Sequence, residues 1–163
     1  RECPDIEVVV KGKTNLPKWM QITARKPLSL ERLPNLRVVM GGDPGDLISA
    51  SSVVSGMNST ALLEGLAAGR RTVVPRFEEA LDPRAGPFFL ELGDAVETAD
   101  SEEDLFVRLR DAARNPLPLT EVLGTGPARE LDTWAGNADG AAGTRVARAI
   151  AAEVAAAGAS GQM

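Results

Sequence analysis

Short β-branched runs, each closed by glycine or proline and separated by stretches of helical character, set narrow bounds on the architecture of this chain. Ile6-Glu7-Val8-Val9-Val10 stops at Lys11-Gly12-Lys13, and Leu36-Arg37-Val38-Val39-Met40 stops at Gly41-Gly42-Asp43. Such runs are apolar at nearly every position, which suits strands buried on both faces better than the alternating pattern of a sheet with one wet face. Three more strands are predicted over 52–57, 72–76 and 94–98, with helices over 46–51, 60–68, 100–114 and 144–157. Strand and helix therefore alternate. The fold class this implies is α/β: a single Rossmann-like, three-layer domain with a parallel sheet of about five or six strands and helices on both faces.

Local signals set the element ends. Gly69 stands where a helix C-cap needs a left-handed residue, and Asp100 and Glu103 have the spacing of a capping box at the head of an amphipathic helix that Asn115-Pro116 stops. Pro17, Pro27 and Pro34 interrupt the connection between the first two strands, so it is expected to be irregular with one short helix over 28–33. Residues 116–143 are rich in Pro, Gly and Asn and are expected to be irregular as well. Val146, Ile150 and Val154 then recur four apart, which predicts a last helix packed back on the sheet. The domain is assigned to residues 1–157, with 158–163 as a frayed tail. No internal repeat is present.

The length of 163 residues and mass of 17.1 kDa fit one such domain, and a composition 44% hydrophobic and 25% charged is that of a chain with a core. A formal net charge of -5 and an aromatic content of 4% argue against a general nucleic-acid binder, which needs a basic surface and stacking platforms. No apolar run approaches the ~18–20 residues of a membrane span and no signal-peptide pattern opens the chain, so a soluble, cytoplasmic protein is expected. The start at Arg1, without methionine, reads as a piece of something longer.

Cys3 is the only cysteine and histidine is absent. Intrachain disulfides, cysteine or histidine zinc cages, and Ser-His-Asp or Cys-His catalysis are thereby excluded. Any proton transfer falls to a carboxylate, to lysine or to water.

In open parallel sheets ligands bind beyond the carboxyl ends of the strands. Four segments there carry unusual residues: Lys11-Gly12-Lys13, Gly41-Gly42-Asp43, Ser55-Gly56-Met57-Asn58-Ser59-Thr60, and Pro75-Arg76-Phe77-Glu78-Glu79. In the third, a glycine precedes small hydroxyl and amide residues at a helix start, where free N–H groups and the helix dipole favour an anion such as phosphate. The same residues also suit plain N-capping by Asn58 or Ser59. At 100° per residue Leu62, Leu63 and Leu66 form the buried stripe of that helix while Glu64 points away, free to accept hydrogen bonds from a ribose diol or simply to be solvated. Lys11, Lys13 and Arg76 can neutralise a diphosphate or serve as ordinary charges at strand ends.

Residues 46–77, whose central part reads Ser55-Gly56-Met57-Asn58-Ser59-Thr60-Ala61-Leu62-Leu63-Glu64 and then Thr72-Val73-Val74-Pro75-Arg76-Phe77, resemble the carboxy-terminal donor domain of GT-B-fold glycosyltransferases. The resemblance is closest to bacterial capsule and surface-carbohydrate biosynthesis proteins, whose relatives include the glycerophosphotransferases of teichoic-acid synthesis. It extends to the strand Val8-Val9-Val10-Lys11 and to the Asp139-Gly140 turn with the Arg145 helix. Two departures stand out. Gly12-Lys13 replaces the histidine that follows the lysine in glycerophosphotransferases, which argues against glycerophosphate transfer, and the amino-terminal acceptor domain is missing.

The resemblance implies a nucleotide-sugar donor with its phosphates on Gly56, Asn58, Ser59 and Thr60, balanced by Lys11 and Arg76, and its ribose at Glu64. Cations and the helix dipole, with no cofactor and no metal, would stabilise the leaving nucleotide. Asp43 is a weak candidate for the base, which is otherwise expected from the missing acceptor domain, and contact with the inner membrane face would come through the acceptor. Two other readings share the architecture: a UDP-N-acetylglucosamine 2-epimerase-like enzyme, and a non-catalytic nucleotide-binding module.

Overall fold

The computed structural model describes residues 3–12, 33–57, 59–82, 91–117, 125–136 and 139–160. Among them, five strands and five α-helices follow in the order β1 (Val8–Gly12), β2 (Leu36–Met40), α1 (Gly45–Ala50), β3 (Val53–Ser55), α2 (Ala61–Ala67), β4 (Arg71–Pro75), β5 (Glu97–Ala99), α3 (Glu102–Arg114), α4 (Thr125–Ala135) and α5 (Ala142–Ser160). The chain is mixed α/β and each strand pair is parallel, as the near-continuous apolar runs require. Among the described residues the strands form two ladders, β1 with β2 and β3 with β4 and β5, in place of the single sheet of five or six strands expected. No helix of the described residues is long and apolar enough to cross a membrane.

Asn35 starts the first ladder. Its side-chain amide donates to the carbonyls of Cys3 (3.1 Å) and Ile6 (2.8 Å), and its own carbonyl accepts from Val8 N–H (2.8 Å). Ile6 is thereby held in a turn, Glu7 stays outside the ladder, and the strand begins two residues later than expected. Gly41 and Gly42, at φ 72° and 74°, end β2 in a conformation that few side chains tolerate.

β4 is the central strand of the second ladder. Thr72, Val73 and Val74 are all buried, as befits a strand covered on both faces, and β3 and β5 flank it in register, Val54 opposite Thr72 and Val74 opposite Thr98. α2 lies against this ladder through Gly65, where a Cβ would come within 3.1 Å of Val54 and 3.3 Å of the Thr72 hydroxyl. Leu62 and Leu66 of α2 join Val74, Leu92 and Leu131 in the core, with Leu63, Ala95 and Val96 packed beside them. Fully burying leucines of this kind contributes ~1.5–3 kcal/mol each. α2 ends as expected at Gly69, φ 75°, with Gly69 N–H bonded to the Leu66 carbonyl and Arg70 N–H to that of Gly65, a Schellman motif.

Three expectations are corrected. The fifth strand covers Glu97–Ala99, because residues Gly93–Ala95 form a 3-10 turn: Gly93 takes φ 46° and Ala95 N–H bonds the Leu92 carbonyl, which sets Leu92 into the core. The stretch expected to be irregular contains α4, held by the buried Leu131 and by Trp134, whose indole N–H donates to the Glu91 carbonyl at 3.1 Å. Lastly, α5 does not pack on a sheet. Val146, Ile150 and Val154 are 58%, 60% and 67% exposed, and the described side chains of this helix face solvent along its length. Of the helix expected over 28–33, all but Leu33, which is not helical, lies outside the described residues.

The head of α3 also differs in detail. Ser101, not Asp100, is the cap: its hydroxyl accepts from Asp104 N–H (3.1 Å), while the Asp104 carboxylate accepts from the N–H of Asp100, the residue before the cap (3.2 Å), so the return bond of a capping box goes one residue further back.

Candidate functional site

Because β3, β4 and β5 are parallel and in register, the chain leaves all three at one edge: Gly56 follows β3, Arg76 follows β4, and Asp100-Ser101 follow β5. The edge is drawn together by Arg76 N–H, which donates to the Ala99 carbonyl at 2.7 Å and extends the β4–β5 pairing one step beyond the strands. The Arg76 side chain is exposed there. Glu78, two residues on, takes φ 49°, unusual without glycine, and opens the 3-10 turn Glu78–Leu81.

The turn into α2 is closed by its own residues. The Ser59 hydroxyl accepts from Ala61 N–H at 3.3 Å, its carbonyl accepts from Leu62 N–H, and the Thr60 carbonyl accepts from Glu64 N–H. Ser59 lies one residue before the N-cap, so its hydroxyl shapes the turn and is not the N-cap expected of it. Thr60 is exposed and makes no side-chain cap. Asn58 lies outside the described residues. Gly56 is notable for what does not require it: a Cβ there would meet Leu62 at 3.7 Å and Ser59 at 4.0 Å, ordinary contacts, so neither packing nor backbone demands glycine. Glu64 is exposed, opposite the buried Leu62 and Leu66, as the helical spacing predicts.

Lys11 and Asp43 belong to the other ladder. They stand at or just beyond the carboxyl ends of β1 and β2, which are not hydrogen-bonded to β3. The Lys11 ammonium donates to the carbonyl of its neighbour Gly12 at 3.3 Å. Asp43 is exposed and its Oδ1 accepts from Gly45 N–H at 2.9 Å, so this carboxylate shapes the turn into α1. Lys13 lies outside the described residues. The structure therefore brings Gly56, Ser59, Thr60 and Arg76 to one edge, with Glu64 on the helix that leaves it, and sets Lys11 and Asp43 on a separate ladder.

Among the described residues the densest electrostatic cluster lies elsewhere, anchored at the amino ends of β4 and β5, and the sequence reading missed it. Arg71 Nε meets Glu97 Oε1 at 2.7 Å, and Arg71 Nη1 meets Asp111 Oδ2 at 2.8 Å and the Asn115 carbonyl at 3.2 Å. Arg108 pairs with Asp104 at 2.9 Å and approaches Glu97 at 3.9 Å. The Glu97 hydrogen bond, with Asp111 behind it, holds the Arg71 guanidinium above its ordinary pKa against the opposing effect of burial. Arg71 in turn holds the Asp111 carboxyl below its ordinary value, helped by the Asn115 amide, and Arg108 does the same for Asp104. Arg71–Glu97 ties β4 to β5, Arg71–Asp111 and Arg108–Glu97 tie α3 to the ladder, and Arg108–Asp104 spans one turn of α3, so this cluster is a clamp on the fold. Asp139 is likewise lowered, by the Ala141 amide and then Arg145, at the head of α5.

Among the described residues no three acidic or cysteine side chains converge as a metal site. A shallow depression of about 740 Å³, lined by Asp5, Glu7, Asn35 and Arg37 among others, lies at the amino end of the β1–β2 ladder. That is the end opposite the strand-end loops where a ligand of a parallel sheet sits, so it does not coincide with the candidate site. Comparison of the chain with protein-family models, curated proteins and solved structures finds no match.

Proposed function

We propose that this chain is the nucleotide-sugar donor-binding half of a GT-B-fold glycosyltransferase that makes bacterial surface polysaccharide. The observation that supports this reading is the shared edge formed by Gly56, Ser59, Thr60 and Arg76, with the exposed Glu64 on the helix leaving it. On this reading the two ladders are flanks of one Rossmann-like sheet in the order β2-β1-β3-β4-β5. Lys11 and the turn into α2 would then border the crevice where the strand order reverses, the usual ligand position in such sheets. Gly56 leaves room for a phosphate to approach the backbone, and Arg76 supplies the compensating charge.

The reaction is displacement of a nucleotide by an acceptor hydroxyl. The chain's part is to position the donor and stabilise the leaving phosphates. The acceptor and the base come from the acceptor domain, at the cytoplasmic face of the membrane when the acceptor is lipid-borne. One observation favours a second reading, a nucleotide-binding module without turnover: Asp43, the base candidate, is engaged in the turn into α1.

Glu64 tests the donor assignment. Its exposure means that Glu64→Gln should change stability by no more than ~0.5 kcal/mol. A ribose diol donating to its carboxylate should cost ~1.5–3 kcal/mol of nucleotide affinity when the charge is removed. The comparison uses Glu153→Gln, on the solvent-facing α5, as control, and a nucleoside monophosphate beside its 2′,3′-dideoxy analogue as ligands. Equal discrimination between the two ligands by the unmodified chain and by Glu64→Gln would remove Glu64 from the site.

A further inference from the structure

We draw no further inference here: the strongest candidate, the exposed apolar stripe of Val146, Ile150 and Val154 along α5, is an unpartnered helix face, and nothing in the structure shows what covers it.

Discussion

Replacing Arg71 with methionine keeps an unbranched stem of similar reach and removes the charge that ties β4 to β5 through Glu97 and α3 to the ladder through Asp111. The Arg71 and Glu97 side chains are 14% and 31% exposed, so their 2.7 Å contact is only partly screened by water. A charge-assisted hydrogen bond in such a setting contributes ~1.5–3 kcal/mol. Arg108, 3.9 Å from the other Glu97 oxygen, remains as a partial substitute, which places the expected loss near ~2 kcal/mol. For a chain of this size that corresponds to a fall in melting temperature of roughly 4–8 °C. Urea unfolding followed by circular dichroism gives the stability of Arg71→Met, Glu97→Gln and the double variant, and the cycle should return a coupling of about 1–2 kcal/mol. A loss below ~0.5 kcal/mol with additive single variants would refute the clamp, since that is the behaviour of an exposed surface pair. Acid provides a second readout. The folded-state pKa of Asp111 lies below the ordinary carboxylate value, so its pairing stabilises the fold above about pH 4 and is lost as the pH falls through the lowered pKa. Asp111→Asn should therefore destabilise at neutral pH, and its difference from the unmodified chain should close on acidification.

Two glycines separate packing from ligand contact. Gly65→Ala should destabilise by ~1–3 kcal/mol despite alanine's better helix propensity, because the new methyl meets Val54 at 3.1 Å, whereas Gly56→Ala should leave the unfolding midpoint in place and weaken nucleotide binding. Equal stability effects at the two positions would show that the α2–ladder contact is not the close approach described. Ser101→Ala should cost ~1 kcal/mol by uncapping α3, while Asp100→Ala should cost clearly less; the reverse order in thermal unfolding would restore Asp100 as the cap.

The strands and most helices were legible in the sequence because their signals are local. β-branched runs closed by glycine or proline gave β1, β2 and β4 within two residues, and Gly69 gave the end of α2. Elements that depend on distant partners were not. α4 hides in a stretch of Pro, Gly and Asn and exists because Leu131 reaches the core and Trp134 finds the Glu91 carbonyl. The fifth strand shifted because Leu92 is worth more in the core than Asp94 and Ala95 are in a ladder. α5 shows the opposite failure, an apolar period that predicts a buried face where the structure shows none.

The site was legible only in part. That the loops after β3 and β4 share an edge follows from parallel pairing alone, and the exposure of Glu64 follows from helical spacing. The engagement of Ser59 and Asp43 in local turns was not foreseeable as more than one of two options, since the same short polar side chains serve caps and ligands equally well. The Arg71 cluster was invisible because its members are spread from position 71 to 115 and meet only when α3 folds back along the ladder. Strand-end charge in a sequence points to an edge; it does not tell which end of the strand is structural.

Titration of the chain with UDP, CDP and GDP, up to millimolar concentration, while amide chemical shifts are followed by NMR, tests the central claim most directly. On the proposed reading the donor site is completed by closure of a second domain, so weak binding is expected and the concentration range matters. The account predicts saturable shifts at Gly56, Ser59, Thr60 and Arg76, with smaller ones at Glu64 and none along α5. Saturable shifts confined to Asp5, Asn35 and Arg37 at the opposite end of the first ladder, or no shift at millimolar nucleotide, would contradict it.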